Sequence, residues 1–150
     1  MKERMIGALL TLALLSVSGC AHRDKGSFVN GEALQAGTAA ESIATDATSA
    51  VVALYPPGKT SIRLLVAGSD SFSAAFEQHL RARGFSIVPS APGTAPAGLQ
   101  VSYVLDRHKT DGSLMLRLQF ADDSGKRKMM RSYTAAGQAE AAFSTTGGVW

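Results

Sequence analysis

Three runs of alternating apolar and polar residues, separated by two Asp-containing turns that end in glycine, constrain this chain more than any other feature. Leu99, Val101, Tyr103 and Leu105 alternate with Gln100, Ser102 and Asp106. Leu114, Leu116, Leu118 and Phe120 alternate in the same way after Lys109-Thr110-Asp111-Gly112, and a third run, Lys126 to Tyr133, follows Asp122-Asp123-Ser124-Gly125. A period of two sends successive side chains to opposite sides of a strand, whereas a helix would scatter these apolar positions around its circumference. Asp and Gly supply the side-chain hydrogen bonds and the positive φ that tight reversals need, so the three runs read as an antiparallel meander. Such a sheet has one apolar face, and something must cover it.

The cover lies upstream. Ile43, Ala47, Ala50, Val51 and Leu54 fall on one face of a helix that must stop at Tyr55-Pro56-Pro57-Gly58, and Thr60 to Ala67 alternates around Ile62, Leu64 and Val66 as a strand. Gly68-Ser69-Asp70-Ser71 turns the chain and offers an N-cap to a second helix running to Arg83. Phe72, Phe76 and Leu80 are its buried stripe, and Gly84 is its terminator. Phe85 to Val88 is a short strand, and Pro89 to Pro96 a proline-rich loop. The order helix, strand, helix and four strands (αβαββββ) gives an α+β fold, a small and mainly antiparallel sheet with helices on one face.

The N-terminus has a different character. Lys2 and Arg4 precede an uncharged apolar run from Met5 to Val17, which suits a signal peptide and falls short of the roughly 20 residues a spanning helix needs. Ser18 and Gly19 are small enough for a peptidase pocket, and Cys20, the sole cysteine, follows at once. A lone cysteine is ordinarily a buried thiol acting as a small hydrophobe. These flanks argue instead for cleavage between Gly19 and Cys20, and Val17-Ser18-Gly19-Cys20 resembles the lipobox of bacterial lipoproteins. That resemblance implies a diacylglycerol thioether and an N-acyl chain on Cys20. With Ala21 rather than aspartate at the second mature position, it implies the outer membrane, facing the periplasm. Residues 1–19 are then the signal, 20–40 a lipidated flexible tether of small and polar residues, 41–136 the domain, and 137–150 a C-terminal tail without clear pattern.

Beyond residue 19, thirteen Lys and Arg stand against eleven Asp and Glu, a near-neutral balance that does not mark a nucleic-acid binder. The histidines, His22, His79 and His108, are scattered over tether, helix and turn with no ligand spacing, so no metal site is expected. His79 beside the apolar stripe reads as a boundary residue hydrogen-bonded at the rim. Asp106, Asp111, Asp122 and Asp123 lie in or beside turns, where short carboxylates bond backbone amides, and no phosphate loop or dinucleotide fingerprint occurs. Catalytic residues, cofactors and a small-molecule substrate are therefore not expected. The dense basic cluster Lys126-Arg127-Lys128 with Arg131 reads as a solvated edge strand blunted by charge in preference to a DNA or lipid-headgroup site. Within it Arg127, Met129 and Arg131 share one strand face and form the candidate docking surface.

The helix closing on Leu54-Tyr55-Pro56-Pro57-Gly58-Lys59-Thr60, the run Phe76-Glu77-x-x-Leu80-Arg81-x-x-Gly84-Phe85-Ser86-Ile87-Val88, Tyr103-Val104-Leu105-Asp106 and Arg131-Ser132-Tyr133, with the lipobox before them, together resemble the TrbH family of small conjugal-transfer lipoproteins. The resemblance covers Leu54 to Tyr133 plus the signal and stops short of Gly137. It implies a non-enzymatic part of a mating-pair-formation apparatus, a type IV secretion system, with other channel proteins as partners and the membrane reached through Cys20. The alternative is an accessory lipoprotein that binds within another envelope complex, such as a transporter, a secretin or a peptidoglycan enzyme. Replacing Cys20 with Ser is expected to abolish labelling of the protein by a fatty-acid analogue and to leave the signal uncleaved. Undiminished labelling of that variant would refute acylation at Cys20.

Overall fold

A computed structural model describes residues 27–30, 37–65, 70–88 and 98–148. Within them the elements run β1 (Phe28–Val29), α1 (Gly37–Leu54), β2 (Ser61–Leu64), α2 (Ser71–Ala82), β3 (Ser86–Val88), β4 (Leu99–Arg107), β5 (Leu114–Asp122), β6 (Gly125–Tyr133) and β7 (Ser144–Gly148). The seven strands form one mixed sheet in the order β3-β2-β4-β5-β6-β7, with β1 also paired to β4, and both helices lie on one side of it.

The meander is present as its alternation requires. β4 and β5 pair antiparallel from Gln100↔Ala121 to Arg107↔Leu114, and β5 and β6 from Leu114↔Tyr133 to Asp122↔Gly125. The turns close by the expected chemistry: Asp111 accepts from the Ser113 N–H at 3.0 Å, and Asp122 from the Ser124 N–H at 2.8 Å. Asp106 is the penultimate residue of β4, beside the turn that follows. The other half of the sheet is parallel, because β2, α2 and β3 make a strand-helix-strand crossover that returns the chain in the same direction.

α2 begins and ends where its sequence signals lie. Asp70 caps it, accepting from the Ser73 N–H at 2.8 Å; Gly68 and Ser69 lie outside the described residues. At the other end the Phe85 N–H donates to the Leu80 carbonyl and the Gly84 N–H to the Arg81 carbonyl, a paired closure that needs Gly84 at φ 89°. Phe72 and Phe76 stack on each other with centroids 5.5 Å apart, and each meets the Tyr103 ring edge-on at 5.1 and 5.8 Å. The buried Tyr103 hydroxyl and the Ser73 Oγ are 2.7 Å apart, so this polar tip has a partner. Leu114, Leu116 and Leu118 share the same core with Ile43, Ala47 and Val51 of α1 and Leu80 of α2.

The domain is larger than the expected 41–136 at both ends. Ser27, assigned to the tether, is buried; its N–H donates to the Leu65 carbonyl at 2.7 Å and its Oγ accepts from the Tyr103 N–H at 3.0 Å. β1 then continues along the β4 edge just where β2 leaves it: β2 pairs with Leu99 to Val101, and β1 with Val104 and Leu105. α1 opens at Gly37, with Ala39 and Ala40 buried. The tail contributes equally. Gly137, at φ 82°, packs so closely on α1 that a Cβ there would stand 2.8 Å from the Ala39 backbone, while Ser42 Oγ donates to its carbonyl at 3.0 Å. β7 then pairs antiparallel with β6 from Met130↔Ser144 to Lys126↔Gly148. These segments join through backbone hydrogen bonds and small residues, so their low apolar content disguises their place in the fold.

Leu80, fully buried between α2 and the sheet, gives the direct test of this packing. Leu80→Ala is expected to destabilise the protein by about 2 to 5 kcal/mol in a denaturant titration. A loss of less than about 0.5 kcal/mol, typical of a surface position, would contradict the helix register.

Candidate docking surface

Cys20 and Gly19 lie outside the described residues. The other expected site, the strand face of Arg127, Met129 and Arg131, is not an exposed edge. β7 pairs along β6 and removes the edge, and these side chains point toward the helices because their partners on β5 are the core residues Phe120, Leu118 and Leu116. Met129 is buried. Arg127 borders a shallow polar pocket of about 200 Å³, lined also by Tyr55, Asp122, Ser124 and Lys126. Burial, followed by the neighbouring Asp122 carboxylate, raises the Tyr55 pKa and keeps its hydroxyl neutral.

Arg131 has a structural role. Its Nη1 donates to both carboxylate oxygens of Asp46 on α1 at 2.8 Å, and its Nε donates to the Ala141 carbonyl. The guanidinium lies 5.0 Å from the Phe143 ring centroid and 5.9 Å from that of Tyr133. Tyr133 Oη also donates to Asp46, at 2.6 Å, and its pKa is raised far above the ordinary tyrosine value by burial and then by the Asp46 hydrogen bond and charge. The hydroxyl therefore stays a donor. This cluster ties α1, β6 and the 137–143 segment together, and Asp46 was not anticipated from the sequence.

His79 sits at the rim as expected, with its Nε2 2.8 Å from Glu41 Oε1 on α1. Among the described residues there is no group of His, Cys, Asp and Glu placed to hold a metal ion.

Among the described residues, no helix covers the other side of the sheet. One cross-strand row on it reads Phe28, Val104, Arg117, Met130, and the next, toward the β5–β6 turn, Ser102, Gln119, Lys128. Beyond that lie Arg63, Gln100, Ala121 and Lys126, and on the other flank Asn30, Asp106, Met115 and Ser132. Phe28 is 53 % exposed, Met130 40 % and Met115 37 %, the large apolar residues most open to solvent among those described. Asp106 is the one acid of these rows. Its carboxylate accepts from Asn30 Nδ2 at 3.0 Å and from the Arg107 N–H at 2.8 Å, and these hydrogen bonds, the Asn30 one foremost, hold its pKa below the ordinary value.

Among the described residues the domain is a two-layer α+β fold, with both helices on one side of the sheet. The family model of the conjugal transfer protein TrbH matches residues 22–147, and the chain belongs to that family. The match extends past Gly137 and takes in the β6–β7 pairing that the sequence resemblance did not reach. No curated protein and no solved structure matches the chain.

With Arg131 serving the fold, Arg131→Ala is expected to lower stability by about 1.5 to 3 kcal/mol, the range for hydrogen bonds to a charged group, and to leave Asp46 with only Tyr133. Denaturant titration measures the loss. An unchanged midpoint would return Arg131 to the free surface.

Proposed function

We infer that this protein is an outer-membrane lipoprotein, acylated at Cys20 and facing the periplasm, that acts as a non-enzymatic component of the type IV secretion apparatus of conjugal transfer. The observation that carries this reading is the TrbH family match, which spans nearly all of the chain beyond the signal and starts two residues after Cys20. The lipobox-like Val17-Ser18-Gly19-Cys20 supports the anchor. No helix among the described residues is long and apolar enough to cross a membrane, so the acylated cysteine supplies the attachment in this reading. The domain then works by contact, holding its surfaces against neighbouring channel proteins.

Deleting the gene is expected to reduce conjugal transfer severalfold or more while growth and plasmid replication continue as before, and the intact gene supplied in trans should restore it. Mating frequency in the deletion strain measures this. Transfer at the parental frequency without the protein would overturn the conjugation role.

A further inference from the structure

The uncovered sheet face combines a charge bias, an apolar margin and a position in the chain that point the same way. Arg117, Lys126 and Lys128 stand exposed on it, Arg63 lies on the same side, and Asp106 is the acid among them. The helices on the other side carry Glu41, Asp46 and Glu77 together with Arg81 and the capping Arg83, and Asp46 and Glu77 are paired with Arg131 and Arg81, so the excess of positive charge lies on the sheet face. The apolar members, Phe28, Val104, Met130 and Met115, gather at the end of the face where β1 enters.

β1 is also the described element nearest to Cys20 in sequence. Six residues separate Cys20 from Ser27, and seven extended steps span at most about 25 Å. A chain anchored at Cys20 therefore delivers Phe28, the most exposed of the large apolar side chains, close to the bilayer.

We propose that this sheet face, from Phe28 across Arg117 to Lys128, lies against an anionic lipid surface, with the cations on headgroup phosphates and Phe28, Met115 and Met130 dipping into the interface. The assignment rests on the lipid-anchor reading for bringing the protein to a membrane. An anionic lipid surface is the favoured occupant because Arg117 and Lys128 face outward with Asp106 the one acid of these rows, and because the face begins at β1, a few residues after Cys20. Basic side chains at an anionic membrane each strengthen binding, and aromatic and aliphatic groups at the interface add to it.

The test uses the unacylated chain from Ala21 onward, which keeps every described residue, so that binding by the face is measured apart from the lipid anchor. The probes are vesicles of phosphatidylglycerol and phosphatidylethanolamine in equal parts, and vesicles of phosphatidylcholine alone. Co-sedimentation with the anionic vesicles only, weakening as salt is raised, is expected. Arg117→Gln with Lys128→Gln should weaken it about thirtyfold, on the order of fivefold per cation. Removing the same charge from α2 and its cap, Arg81→Gln with Arg83→Gln, should leave it within about twofold. In a Trp150→Phe background, Phe28→Trp should shift its fluorescence to the blue and be quenched by brominated lipid. Far-UV circular dichroism and melting temperature establish that each variant is folded. No binding of the unsubstituted chain, or an equal loss from the α2 pair, would overturn the proposal. So would absent vesicle binding combined with failed conjugal transfer by the Arg117 and Lys128 variant, which would assign the face to a protein. None of these outcomes depends on whether Cys20 is acylated, which the fatty-acid labelling of the Cys20→Ser variant decides separately.

Discussion

Tyr103 stands where the parts of this fold meet. The nine-residue strand β4 is too long for β2, which departs after Leu64 to begin the crossover, so half of the β4 edge would be left open. At Tyr103 the backbone N–H turns to Ser27, and from there β1 takes over the pairing. The same residue sets its ring edge-on against the stacked Phe72 and Phe76 and its hydroxyl beside Ser73, which in turn hydrogen-bonds the helix cap Asp70. Edge repair, through its backbone, and helix docking and the link to the helix cap, through its side chain, therefore meet at one buried residue, and burial raises its pKa so that the phenol stays neutral.

The second helix-to-sheet fastening is electrostatic, and it explains how β6 combines two opposed requirements. Its sequence, Gly125 to Tyr133, is crowded with cations, yet Met129 and Tyr133 belong to the core. Alternation resolves this. Arg127, Met129, Arg131 and Tyr133 face the helices, and Lys126, Lys128 and Met130 face outward. The inward Arg131 is tolerable in a half-buried site because Asp46, the Ala141 carbonyl and two aromatic rings surround it.

Elements that carry their own apolar period were legible in the sequence. α2 and the β4–β5–β6 meander could be read because Phe72, Phe76 and Leu80 keep a helical spacing and the leucines of β5 a spacing of two. α1 was legible from Ile43 onward and obscured before it, since its first turn buries only Ala39 and Ala40. β1 and β7 are held by their neighbours' backbones; Ser-Thr-Thr-Gly-Gly has no apolar alternation to reveal it. The candidate site failed on a related point. Arg127, Met129 and Arg131 share one strand face, which their pairing with Phe120, Leu118 and Leu116 turns toward the core, and the elements that cover that edge and face, β7 and Asp46, are both distant in sequence. The sheet face that no described helix covers is hidden in the sequence for the complementary reason that Phe28 lies in a segment whose composition reads as linker.

The geometry of β1 has a mechanical consequence. It lies parallel to β4, and its bonds, from Ser27 to Tyr103 and Leu65 and from Asn30 to Leu105 and Asp106, run across the strand direction. Tension applied from the N-terminal side along the strand therefore loads these bonds together in shear instead of peeling them one at a time. A body held by a single leash near its N-terminus, and tugged whenever the assembly around it moves, would have its attachment point where the domain resists that pull as a unit.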